Sequence, residues 1–227
     1  MDTLLNLADD VPISLGKSCY TSMFISELVK RDTKTYERYV FDWLGSPMWS
    51  ICKLIEDNFA DLNTTQYFVY KNHFNTKNES YVTNTKYNII FAHDYGINVD
   101  KLPAEQLARV KTKYDDRIQR FRDVLASGKR ILFFRAERDT PGLINFPEDN
   151  IRESELFYVQ KFAQLMSAKG VNCRIVFFTS SNPTGWDSAN KICSVHYDQD
   201  PSKKVLMEKD ITAIFTANLE FIKTSIT

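Results

Sequence analysis

Val11-Pro12-Ile13-Ser14-Leu15-Gly16-Lys17-Ser18-Cys19 is an apolar run that ends in a short polar turn and then enters an apolar-periodic segment, the pattern of a strand feeding a helix. Two chemistries can be hung on it. If the turn matters, the backbone N–H groups of Gly16, Lys17 and Ser18 at a helix N-terminus form a seat for a phosphate or another anion. If the cysteine matters, Cys19 stands in the first helical turn, where a dipole-stabilised thiolate nucleophile would sit.

Further along, Leu107, Val110, Tyr114, Ile118, Phe121 and Leu125 recur at spacings of three and four in a segment otherwise full of charge, which predicts an amphipathic helix. Arg130-Ile131-Leu132-Phe133-Phe134-Arg135 is a nearly continuous apolar run of the kind found in strands buried on both faces. A helix from about Ser154 to Lys169 carries Leu156, Val159, Phe162, Ala163 and Met166 on one side and stops at Gly170. Cys173 to Thr179 repeats the buried-strand pattern, Lys191 to His196 gives a shorter version, and Ile211 to Ile222 reads as a closing helix.

In the first half, residues 11–15 and 18–30 make one βα unit, Tyr39 to Asp42 reads as a short strand, Pro47 to Phe59 as a helix and Tyr87 to His93 as an apolar strand. Residues 61–85, rich in Asn, Thr and Tyr, read as an irregular insertion with one or two short strands. No repeat, linker or low-complexity tract interrupts the chain. This order predicts a single α/β domain over residues 1–227, built on a doubly wound, mostly parallel, Rossmann-like sheet with helices on both faces.

Lys plus Arg equals Asp plus Glu at 29 each, so no global field attracts nucleic acid or an anionic membrane, and any anionic ligand must be held by a local cluster. Cys19, Cys52, Cys173 and Cys193 lack zinc-like spacing, which argues for reduced thiols. No stretch approaches the roughly eighteen consecutive apolar residues of a membrane span, and the N-terminus MDTLLNLADD is acidic where a signal peptide is basic. The expectation is a cytoplasmic chain, in the host cytoplasm if its source is viral, with room for covalently linked neighbouring domains.

In an open parallel sheet, ligands bind outside the carboxyl ends of the strands. The residues following the predicted strands are Gly16-Lys17-Ser18, Asp42-Trp43, His93-Asp94, Arg135-Ala136-Glu137-Arg138, Ser180-Ser181-Asn182 and His196, nearly all able to bind an anion or move a proton. Each also has a plainer reading. The turn can be just tight, with a capping serine; the arginines can be ion-pair partners; His93 can be a capped core histidine; Ser180 to Asn182 can be only a turn; and Trp43 and Trp49 read as core or pocket wall. Cys19 can be one more buried, inert thiol.

The combination ISLGKSC, FDWLGSP, FAHDY and YDDRIQRFRDVL leading to ILFFRAE resembles a domain family of bacteria and large DNA viruses labelled as papain-like cysteine peptidases. The likeness spans roughly residues 12–180 and points to Gly16, Cys19, Phe41-Asp42-Trp43, His93-Asp94, Arg135 and Glu137. The chain is also similar in size and general look to the middle, rhamnosyltransferase-like domain of a chlorovirus multidomain glycan-synthesis protein.

From these observations the leading expectation is a metal-independent glycosyltransferase, with no permanently bound cofactor, that takes a nucleoside diphosphate sugar as donor and a glycan as acceptor and transfers a deoxyhexose such as rhamnose. Arg135, Arg138 and the Gly16-Lys17-Ser18 turn would neutralise the diphosphate; Glu137, Ser180, Ser181, Asn182 and His196 would hold the nucleoside or sugar; Asp94, His93 or Asp42 would act as general base. The rival is a cysteine hydrolase with Cys19 as nucleophile, His93 as base and Asp94 or Asp42 as orienter. A non-catalytic nucleotide- or carbohydrate-binding module is the third reading.

Overall fold

The computed structural model describes residues 10–31, 35–72, 80–95, 103–137, 153–200 and 206–226. The opening strand β1 (Asp10–Ser14) feeds helix α1 (Cys19–Arg31), as the sequence predicts. It pairs in parallel with β6 (Arg130–Ala136), which pairs with β7 (Cys173–Thr179), which pairs with β9 (Ile192–His196). The short β8 (Gly185–Asp187) adds to β9 as an antiparallel edge, giving a five-stranded, mostly parallel sheet of order β1-β6-β7-β9-β8.

Strand periodicity divides the core in two. Ile131, Phe133, Ile175 and Phe177 face a cluster completed by the helices α2 (Met48–Glu56), α3 (Ala104–Ala126) and α4 (Glu155–Ala168). Leu132, Phe134, Val176 and Phe178 face the other, completed by α1, α5 (Glu208–Ala217) and α6 (Leu219–Ile226). Phe24 of α1 wedges edge-on against Phe134 at 5.6 Å and against Phe178 at 6.2 Å, which fixes α1 on its face. The helix boundaries follow local chemistry: the Ser154 hydroxyl accepts from Phe157 N–H at 3.2 Å, and Gly170, with φ +71°, lets the chain leave α4.

The sequence reading needs correction in several places. The α/β class, the mostly parallel sheet and the helices on both of its faces are as read; among the described residues the parallel strands run in the order β1-β6-β7-β9, without the reversal that a Rossmann sheet shows. Tyr39 to Asp42 forms a turn rather than a strand. The 87–93 run contributes only β5 (Ile89–Phe91), and β5 is not part of the parallel sheet. It lies in a separate antiparallel sheet, β2-β5-β4-β3, with β2 (Leu44–Gly45), β3 (Phe68–Asn72) and β4 (Ser80–Asn84). Ile89, Ile90 and Phe91 are all buried, so the run lacks the alternation that marks a one-sided strand. The closing helix is two helices, broken at Asn218.

Candidate active site

The turn between β1 and α1 is pressed against the loop that carries β2. Gly16 has φ +68°, and a Cβ there would lie 2.2 Å from Ser46 Oγ and 3.1 Å from the Phe41 carbonyl, so only glycine fits. Lys17 also has φ +68°. Gly16 N–H donates to Ser14 Oγ at 3.1 Å and Lys17 N–H to Ser46 Oγ at 3.3 Å. Two of the amides expected to seat an anion therefore already serve the protein's own hydroxyls. Ser18 Oγ accepts from Tyr20 N–H at 3.4 Å, the capping role of the plainer reading.

Arg135 is a buried strut rather than an open anion seat. Alternation along β6 turns it to the α2–α4 side, where its exposure is 0%. Nη1 donates to the Leu15 and Ser46 carbonyls at 2.6 and 2.8 Å, and Nε and Nη2 donate to Glu155 Oε1 at 2.7 and 2.5 Å. Lys17 Nζ stands 3.8 Å from the same oxygen. Burial by itself would raise the Glu155 pKa; the Arg135 and Lys17 charges, the Arg135 hydrogen bond and the Met48 N–H at the start of α2 outweigh it and hold the carboxyl below its usual range. Strand end, loop and two helix starts are thus tied through one guanidinium.

On the other side of the turn lies Asp42, with 0% exposure. Tyr36 OH donates to both its carboxylate oxygens at 3.0 and 2.9 Å, Tyr39 N–H donates to Oδ2 at 2.8 Å, and the Ser22 hydroxyl of α1 joins them. Arg117 from α3 reaches the Asp42 carbonyl at 3.0 Å rather than the carboxylate. Burial pushes the Asp42 carboxyl up to about 6, although the Tyr39 N–H, the two hydroxyls and the Arg117 charge all favour its ionised form.

Next to it, Trp43 takes the left-handed conformation at φ +68°, a strained choice for a bulky residue. Its indole meets the His93 ring edge-on at 5.2 Å and carries the Arg38 guanidinium at 5.2 Å. His93 is exposed, and among the described residues no hydrogen bond holds its ring. Asp94 beside it is buried and committed to α3: Tyr114 OH donates to Oδ2 at 2.7 Å, and Lys113 pairs with Oδ1. Asp94 thereby anchors the loop that presents His93.

The four cysteines are unbridged and stand in different surroundings. Cys52, Cys173 and Cys193 are buried, and burial raises their thiols to about 12, 11 and 11. Cys19 is partly exposed and begins α1, whose first turn holds no acidic residue. Ser22, which reaches Asp42, is one turn further along the same helix.

The remaining candidates form a separate group at the carboxyl ends of β6, β7 and β9. Glu137 Oε2 accepts from Thr179 Oγ1 at 2.5 Å, Ser180 N–H at 3.1 Å and Ser181 N–H at 3.3 Å. Thr179 Oγ1 accepts from Asn182 Nδ2 at 3.1 Å, and His196 Nδ1 lies 2.9 Å from the Asn182 carbonyl, with Asp198 3.6 Å from Nε2. These groups bond chiefly to one another. Arg138 lies outside the described residues.

The chain thus brings Gly16–Cys19, Asp42–Trp43 and His93–Asp94 together around the β2 loop, while Glu137, Ser180 to Asn182 and His196 are linked by hydrogen bonds among themselves. Sequence reasoning missed Ser22, Tyr36, Ser46 and Glu155. Glu155 has a faint signal, an acid in the first turn after the Ser154 cap; Tyr36 and Ser46 have none, because their roles depend on folding of the loop. Among the described residues no group of three or more His, Cys, Asp or Glu is placed to hold a metal ion, and no helix is long and apolar enough to cross a membrane.

The described residues thus form a mostly parallel α/β sheet with a partly exposed cysteine at the start of its first helix and an exposed histidine in the loop after β5. The family is shown by residues 10–181, which match the family model described as "Putative papain-like cysteine peptidase (DUF1796)", and the chain belongs to that family. It is also 29% identical over 143 residues to the Acanthamoeba polyphaga mimivirus protein "Uncharacterized protein R408", covering 57% of this chain and 62% of that one. The aligned part is thus less than two thirds of the relative's length. No solved structure matches the chain. The family match overturns the expectation of a nucleotide-sugar-dependent glycosyltransferase: it favours the cysteine-hydrolase rival, and nothing in the comparisons supports a nucleotide-sugar donor or a glycan acceptor.

Proposed function

We propose that the protein is a cysteine-dependent acyl hydrolase of the peptidase type, with Cys19 as nucleophile and His93 as general base. The observation that carries this reading is the contrast among the cysteines: three are buried with raised thiols, whereas Cys19 is partly exposed at the positive end of a 13-residue helix. Cys19 Sγ would attack the carbonyl carbon of an amide or ester as His93 takes the thiol proton. His93 would return that proton to the leaving amine or alcohol, and water would then cleave the thioester by the reverse roles.

His93 is preferred over His196 because it packs on Trp43, in the loop that presses on the Gly16 turn, whereas His196 ends β9, two strands beyond β1's neighbour β6 and bound to Asn182. Asp42 and Asp94 act as positioning residues in this reading. Asp42 ties α1 to the Trp43 loop through Ser22, and Asp94 pins the His93 loop to α3.

The test is alkylation by iodoacetamide, followed by peptide mass spectrometry. Cys19 is expected to label at neutral pH at least about tenfold faster than the other three cysteines, with a pH midpoint below the ordinary thiol value of roughly 8.5. His93→Ala should raise that midpoint, and Cys19→Ala should abolish turnover across a panel of peptide amides and thioesters. Uniform labelling of all four cysteines, with turnover surviving Cys19→Ala, would sink the reading.

A further inference from the structure

A cavity of about 390 Å³ opens beside α1, within the roughly 300–1,000 Å³ range of small-ligand sites. Ser22, Met23, Tyr36 and Trp43 are among its walls. Ser22 and Tyr36 hold Asp42 from the cavity side, Ser22 is one helical turn from Cys19, and Trp43 touches His93. Neither Cys19 nor His93 lines the cavity, but one wall residue is a helical turn from the first and another is in ring contact with the second.

Its charged groups differ in how far they are already engaged. Lys30 Nζ is paired with Glu27 Oε1 at 2.5 Å, so these two cancel. Glu208 lies in the first turn of α5, where the helix N-terminus offsets its charge. Arg38 is left: its guanidinium lies over the Trp43 ring at 5.2 Å, and among the described residues no carboxylate pairs with it. A guanidinium stacked on an indole keeps its N–H fork free at the edge, which suits bidentate contact with a carboxylate.

We infer that this cavity is the subsite for a carboxylate-bearing side chain of an amide substrate, anchored by Arg38, with Trp43 and Met23 flanking its aliphatic stem. The inference rests on the Cys19 reading for its role in turnover, but its binding can be measured without the thiol. A glutamate-like side chain supplies both the apolar stem and the terminal carboxylate that these walls match.

The experiment is calorimetric titration of N-acetyl-glutamic acid N-methylamide, and of its glutamine and lysine counterparts, into wild type, Cys19→Ala and Arg38→Met. The glutamate compound is expected to bind saturably to wild type and equally to Cys19→Ala, the glutamine compound about tenfold or more weakly, and the lysine compound not at all. Arg38→Met should erase the preference for glutamate over glutamine, and Arg38→Lys should keep part of it. Equal binding of glutamate and glutamine, a preference for lysine, a preference unchanged in Arg38→Met, or no saturable binding up to the solubility of the glutamate compound overturns the subsite. An inert Cys19 alongside intact glutamate binding overturns only the hydrolase reading; a reactive Cys19 without glutamate preference overturns only the subsite.

Discussion

Glu155 and Asp42 flank the same glycine turn, and each is removed from water, yet the fold treats them in opposite ways. Glu155 receives a guanidinium and an ammonium and stays ionised below the usual carboxylate range; Asp42 receives two hydroxyls and an N–H, its arginine neighbour spends its donor on the backbone, and its pKa climbs to about 6. A buried carboxylate that meets a cation becomes a strut, and one that meets only neutral donors becomes a group that titrates near neutrality. The side of the turn with the strut holds the scaffold. The other side holds Ser22, Trp43 and, through Trp43, His93.

The comparison breaks most visibly if the strut is cut. Arg135→Ala leaves Glu155 and the Leu15 and Ser46 carbonyls without their shared donor, and is expected to destabilise the fold by about 3–5 kcal/mol in urea unfolding. A loss below about 1 kcal/mol would mean that the pair is no strut.

The turn between the two carboxylates comes next. Gly16→Ala must place a methyl 2.2 Å from Ser46 Oγ at φ +68°, and should cost about 2–4 kcal/mol, combining backbone strain with overpacking. Ser46→Gly in the same chain should recover the steric part, which a double-mutant cycle reads as coupling between the two positions.

The smallest effect lies in the pH dependence, where the two carboxylates should show opposite signs. Asp42 binds its proton more tightly folded than unfolded, so its contribution is fully present below the unfolded value of 3.8 and is lost as pH rises through about 6. Glu155, with its folded pKa lowered from 4.5, contributes above that value and loses its contribution as pH falls through the lower one. Asp42→Asn should therefore flatten the stability profile between about pH 4 and 6 by on the order of 2 kcal/mol, measured by urea unfolding at a series of pH values, while leaving the loss on further acidification in place.

The amino-acid sequence by itself determined the parallel sheet and its helices. Runs such as Ile131 to Phe134 and Cys173 to Phe178, and periodic faces such as Val110-Tyr114-Ile118-Phe121, are local patterns that bury only one way. It also placed Gly16, Cys19, Asp42 and His93 as residues able to do chemistry. Only the tertiary structure decided how these are used. The antiparallel sheet depends on pairings between β2, β5 and β4 that no local period announces, and it is this sheet, not the parallel one, whose strand β5 leads into His93–Asp94 and whose β2 follows Trp43. Whether Arg135 is an open anion seat or a buried strut depends on Leu15, Ser46 and Glu155, which lie 120, 89 and 20 residues away along the chain. Charge and hydrogen-bond partners at such separations are set by packing, so a sequence can nominate a polar residue while only the fold supplies its partner.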